Sequence, residues 1–294
     1  MLPDKEINAL LQLVDDPDDE VFETVAAKII RYGRQIIPKL ETVWESTFDK
    51  LTQDRMEILI HQVRYNDLLE EVKEWSKGSN PDLLRGAILI AKYEYPDVNI
   101  PVLLAEFDQL RRSVWLELNN YLTPLEQVNV LNTIVYNHYK FVGNELTDRN
   151  IGNFFVNKLF DTKQGNSYSI GIVYLAICEL LDIPIFAVEV PQLFLFAYID
   201  TLYSFFSNDP NGIQQIQFYL DPTTGMAYTQ TDLENYLKKI HQNERTRNIV
   251  PLSNKEVICK LINQISQCFQ YKNDEKKIGE LKKIENLIRI TMKN

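Results

Sequence analysis

The sequence predicts an α+β protein, mostly helical, in which one buried helix packs on a small antiparallel sheet between two helical regions. Three observations carry that prediction. Apolar residues recur at helical spacing through roughly the first 140 positions. The period then shortens to that of strands in Ile185–Val190, Leu193–Ile199 and Ile216–Leu220. Helical spacing returns after Thr231-Asp232.

The elements follow in order. Ile7, Leu10, Leu11 and Val14 mark a first helix. The acidic turn at 15–20 leads into a second, Val21 to Tyr32, where acids suit the helix dipole. Gly33 is placed to close it, and a third helix spans Ile36 to Trp44, with Pro38 tolerated in its first turn. Further helices are expected over Gln53–Tyr65, Asp67–Ser76, Leu83–Tyr93, Ile100–Leu116 and Pro124–Tyr139. Asn80-Pro81-Asp82 and Tyr95-Pro96-Asp97 punctuate them, and Thr123 is the expected N-cap before Pro124. The run from Tyr168 to Leu180 reads as a buried helix. Asn208–Gly212 is a turn cluster, so 200–214 reads as a loop, and Asp221-Pro-Thr-Thr-Gly225 closes the third strand. Connections this short make the strands antiparallel. Leu233–His241, Lys255–Tyr271 and Asp274–Ile290 complete the chain, with Lys272-Asn273 as the last turn.

Composition excludes several function classes. The 294 residues are 45% hydrophobic, enough for a substantial core. A formal charge of -10, from 41 acids and 31 bases, opposes binding to nucleic acid. Acids and prolines interrupt the most apolar stretch, Tyr168 to Phe206, before it reaches the roughly 18 residues of a membrane span. The N-terminus lacks the basic start of a signal peptide. Cys178, Cys259 and Cys268 form no pairable or metal-binding spacing. Unpaired thiols fit a reducing cytoplasm. His61, His138 and His241 are scattered through helical patterns, so no metal site and no cofactor is expected.

Five segments carry a family resemblance. DLLRGAILIAKYEYPDVNI (82–100), FVGN (141–144), NFFVNKLFDTKQGNSYSI (153–170), VPQLFLFAY (190–198) and FYLDPTTG (218–225) occur in one order. In that order they resemble the SirB-type bacterial proteins of the transglutaminase-like superfamily. Asn153, Asn157, Gly165 and Ser169 fall in register with that family's pattern. The resemblance implies a papain-like core with a nucleophile at a helix start, a base on the next strand and an acid on the one after. Here those positions are Ser169, Leu193 and Asp221. The helix, Asp-rich turn, helix, Gly, helix pattern at the start of the chain resembles one HEAT-like repeat, and the last two helices resemble a tetratricopeptide-like hairpin, so the expected division is a HEAT-like region over 1–110, the core over 111–240 and the hairpin over 241–294.

The departures bear on function. Lys163 replaces an arginine, Asn166-Ser167 replace Ile-Pro, and Gln192-Leu193 replace Gly-His. Leucine cannot take a proton. General-base assistance is typically worth about 100- to 10,000-fold, so a serine without it does little. Ser167 or Ser169 serving as a helix cap, worth roughly 1 kcal/mol, requires only one residue. Asp221 is explained by its Asp-Pro turn. Asn153, Asn157 and Lys163 either line a cleft or satisfy turn backbone. Together with Ser167 and Gln192 they are the candidate cleft residues. Tyr203, Phe205 and Phe206 are candidates for an exposed partner patch.

The expectation is a non-catalytic, cytoplasmic adaptor or regulator that binds a protein or peptide. Leu193 would make the former cleft apolar and suited to a hydrophobic side chain. The competing expectation is a peptidase, amidase or acyltransferase using Ser169 with another base, His138 among the possibilities.

Overall fold

Period and punctuation place most elements of the chain where the computed structural model has them. The structure describes residues 4–146, 150–199, 216–240 and 250–292. The expected loop at 200–214, the aromatic residues Tyr203, Phe205 and Phe206, and His241 lie outside the described residues. The chain divides into two compact units, Met1–Glu74 and Trp75–Asn294.

The first unit holds α1 (Asp4–Gln12), α2 (Asp19–Ile30), α3 (Ile37–Ser46) and most of α4 (Lys50–Ser76). Asp18 caps α2 by accepting from the Glu20 N–H. Gly33 takes φ +62° after α2, a conformation glycine adopts without a Cβ penalty. The apolar stripes meet in a core that includes Ile7, Val14, Ile29, Leu40, Met56 and Leu59. Arg55 is buried beside it, where its guanidinium donates to the Val14 and Asp16 carbonyls and pairs with Asp19. Two helices were expected where α4 is one. No Gly or Pro lies between Lys50 and Ser76 to interrupt the backbone hydrogen bonds, and Asn66 alone does not break them.

The second unit contains α5 (Leu83–Glu94), α6 (Ile100–Glu117), α7 (Pro124–Asn132), α8 (Val156–Thr162), α9 (Ser167–Leu180), α10 (Gln230–Lys239), α11 (Asn254–Tyr271) and α12 (Glu275–Thr291). Thr123 and Glu126 form a capping box before Pro124. The expected helix to Tyr139 widens after Asn132 into a π-helical turn, Thr133–His138. α5 and α9 are buried on nearly every side, and α5 packs against both α9 and α11. α11 and α12 form the expected hairpin, with Asn273 at φ +54° in the turn.

β1 (Val142–Gly143) pairs in parallel with β2 (Gln164–Gly165). The main sheet runs β3 (Ile185–Val190), β4 (Leu193–Ile199), β5 (Ile216–Leu220) and β6 (Ala227–Tyr228) in sequence order, antiparallel throughout. One face lies on α9, where Tyr168 stacks on Phe194 and Tyr174 packs on Phe196. The alternate residues Val188, Val190, Leu195, Ala197 and Tyr219 pack on Leu233 and Leu237 of α10. The outer edge of β3 is met by a short segment in which Pro251 bridges to Val188 and the Leu252 N–H donates to the Ala187 carbonyl.

Candidate functional site

The start of α9 is set by Asn166. Its side chain accepts from the Tyr168 and Ser169 N–H groups, so Asn166 is the N-cap. Neither serine is the cap, but Ser169 completes the capping box: its Oγ accepts from the Asn166 N–H at 3.1 Å. The same hydroxyl donates to the Asn153 carbonyl at 2.6 Å. Ser169 is 0% exposed and ties the 3-10 turn Ile151–Phe154 to α9.

Two glycines permit this close packing. A Cβ on Gly165 would stand 2.5 Å from Ser169 Oγ, and one on Gly143 would stand 2.5 Å from Thr223. The paired strands β1 and β2 thereby wedge between the α9 start and the Asp221 turn. Two of the five motifs owe their glycines to this contact.

The β3–β4 connection is the two-residue loop Pro191-Gln192, and Gln192 has φ +65°. Pro followed by a left-handed residue is the arrangement that type II turns normally give to Pro-Gly. This loop delivers Leu193 to a rim position. Leu193 is 38% exposed, so it is a wall residue and not the core leucine its flanking sequence suggests.

Asp221 ends β5. Its carboxylate accepts from the Thr223 N–H at 2.7 Å, the Thr223 hydroxyl at 2.5 Å and the Thr224 hydroxyl at 3.0 Å. The turn closes with Gly225 at φ +71°, whose N–H donates to the Asp221 carbonyl. Asn132 donates to the Gly225 carbonyl, Tyr136 to the Pro222 carbonyl, and Tyr174 to the Asn132 side chain. Burial pushes the Tyr136 and Tyr174 phenols far up, with nearby Asp221 adding to the effect on Tyr136, so both stay neutral donors. Sequence reasoning missed these supporting residues. Tyr136 reaches the turn from the π-helical segment, which no spacing rule had marked.

Ser167, Gln192, Leu193 and Asp221 line one cavity of about 540 Å³. The other expected site residues lie elsewhere. Ser169 and the Asn153 carbonyl are beneath the α9 start. Asn157 lines a separate cavity of about 480 Å³, with its Oδ1 buried and without a partner. Lys163 is the left-handed C-cap of α8, its ammonium over the Phe141 and Phe160 rings. His138 is exposed and is not a wall residue.

Ser167 is 7% exposed, lines the cavity, and its hydroxyl has no hydrogen-bond partner. The remaining walls include Leu195 and Tyr219, which fall within two of the motifs, and Leu233, Tyr228, Tyr236 and Asp232, which lie outside all of them. Asp232 accepts from the Thr229 hydroxyl and N–H in a capping box, and those bonds hold its carboxyl below the usual range. Burial raises the Tyr219 phenol to about 12, and burial with the Asp221 and Asp232 charges raises that of Tyr228. Among the described wall residues there is no histidine, cysteine, lysine or arginine. Among the described residues as a whole, no group of three or more His, Cys, Asp or Glu is placed to hold a metal ion, and no helix is long and apolar enough to cross a membrane.

A helix start, a hairpin rim and a strand-end aspartate facing one cavity beside an antiparallel sheet define a transglutaminase-like core. The sequence model of the Transglutaminase-like superfamily matches residues 102–263, and the chain belongs to that superfamily. No curated protein and no solved structure matches it.

Proposed function

We propose that this chain is a SirB-type, non-catalytic member of the superfamily, a cytoplasmic bacterial adaptor or regulator whose cavity holds a protein or peptide segment. One observation carries the reading: Leu193 stands on the cavity wall together with Ser167 and Asp221, where acid-base chemistry would need a proton acceptor. Asp221 is no substitute, since in a triad the acid orients the base and does not replace it, and here its carboxylate anchors its own turn through Thr223 and Thr224. A cavity of about 540 Å³ lies within the size range of small-ligand and side-chain pockets. The alternative, a peptidase, amidase or acyltransferase using Ser169, faces a wholly buried hydroxyl whose proton is given to the Asn153 carbonyl.

A serine-reactive fluorophosphonate separates the two. The proposal expects no labelling of the native chain. Labelling that disappears in Ser169→Ala or Ser167→Ala overturns it. The binding half is tested by affinity capture from the native host, in which Leu193→Lys should release any partner that the cavity holds.

The same proposal takes 1–110 as a HEAT-like region, 111–240 as the core and 241–294 as a tetratricopeptide-like hairpin. Limited proteolysis with cuts clustering near 110 and 240 supports these limits. A resistant fragment starting near 75 speaks for the division into Met1–Glu74 and Trp75–Asn294 instead.

A further inference from the structure

We propose that the occupant of the Leu193 cavity is a cationic side chain, lysine or arginine, presented by a peptide whose backbone carbonyl accepts from Ser167. This rests on the peptide-binding reading above and changes the kind of side chain that Leu193 by itself suggests.

The walls divide into two chemistries. Leu193, Leu195 and Leu233 supply an aliphatic surface on which a methylene stem can lie. Asp221, Asp232 and Glu145 bring three carboxylates to the same cavity, and the described wall residues include no lysine, arginine or histidine. The two aspartates are oriented by threonine donors of their own turns, so they are fixed in place before a ligand arrives. Tyr219, Tyr228 and Tyr236 add aromatic surface, which attracts cations. The hydroxyls of Tyr219 and Tyr236 are already spent on Gln230 and the Pro191 carbonyl, which leaves their rings for contact. Asp221 and Asp232 both raise the Tyr228 phenol, which shows their fields meeting at one point of the wall. The chain's formal charge of -10 favours the approach of a cation.

Ser167 points to the rest of the ligand. A buried hydroxyl without a partner is costly, and this one belongs to a wall residue of the cavity, within a side-chain rotation of it. A backbone carbonyl would accept from it, which selects a peptide over a simple amine.

The probes are the Nα-acetyl, C-methylamide derivatives of arginine, lysine, citrulline and norleucine, titrated against the full chain by ligand-observed NMR at low salt. Arginine and lysine amides are expected to bind at least about tenfold more tightly than citrulline or norleucine, the lower end of what hydrogen bonds to charged groups contribute. That preference should shrink as salt rises. It should also weaken in Asp221→Asn, where Oδ1 can still hold the turn. Asp232→Asn is the second variant, and near-UV circular dichroism confirms that each is folded. Norleucine binding as tightly as arginine overturns the cationic occupant while leaving a peptide-binding cavity. Failure of all four amides, with a native partner still lost on Leu193→Lys, also overturns it. Failure of the amides together with the absence of any Leu193-dependent partner overturns the peptide-binding reading too.

Discussion

Ser167 and Ser169 lie two residues apart and answer to opposite physics. Ser169 Oγ serves a buried donor and a buried acceptor, so Ser169→Ala removes the acceptor of the Asn166 N–H and a donor to the Asn153 carbonyl. A loss of about 2 to 3 kcal/mol is expected in urea denaturation. Ser167 Oγ is buried and serves nothing in the free protein, so Ser167→Ala should leave stability unchanged or raise it by up to about 1 kcal/mol. Equal losses in the two variants would contradict the geometry. Sequence alone could not order these serines. Both stand in one helix start, and only the Asn166 cap and the Gly165 contact decide which of them turns inward.

At the level of elements, the hairpin loop carries its own strain. A left-handed backbone costs a non-glycine residue about 1 to 2 kcal/mol. Gln192→Gly removes that cost at Gln192 and adds roughly 0.5 to 1 kcal/mol of glycine entropy. A net gain of about 0.5 kcal/mol in unfolding free energy, read as a rise in the denaturation midpoint, is therefore expected. The α10 capping box gives a pH signature. Asp232 has a lowered pKa when folded, chiefly through the Thr229 hydroxyl. Its contribution is full above the ordinary carboxylate range and is lost as pH falls through the lowered value. Wild type should therefore exceed Asp232→Asn in stability at neutral pH, and the two curves should converge in acid. Strands β3 to β5, and helices α5 and α6, were legible because turn residues and periodicity agree there. The π-helical turn and the unbroken α4 were not. Side-chain pattern at 133–138 is the same for an α and a π ladder, and Asn66 is a weak helix former without being a breaker.

On the scale of the whole molecule, burial governs the cysteines. Cys178, Cys259 and Cys268 are free and buried. Burial raises all three thiols, Cys259 to about 11. Thiolate-dependent reagents such as DTNB should therefore find none of them in the native protein and all three after denaturation. Rapid native reaction would place one at the surface. The superfamily was legible from five ordered motifs, because glycines and turn residues at fixed spacing leave a trace in sequence. Of the cavity's acids and tyrosines, Asp221 and Tyr219 fall in a motif, while Tyr228, Tyr236 and Asp232 left no such trace. Tyr219, Tyr228, Tyr236 and Asp232 come from three elements and converge only when the sheet and α10 are assembled.

The segment beside β3 has a consequence for self-association. An open strand edge is a template for another chain. Here Pro251 and Leu252 occupy that edge at Val188 and Ala187, and proline has no N–H with which to extend the ladder. The opposite edge, β6, is only two residues long. The sheet that frames the cavity thus offers little for fibril growth at either side, and a chain cut at residue 250 would lose that protection at β3.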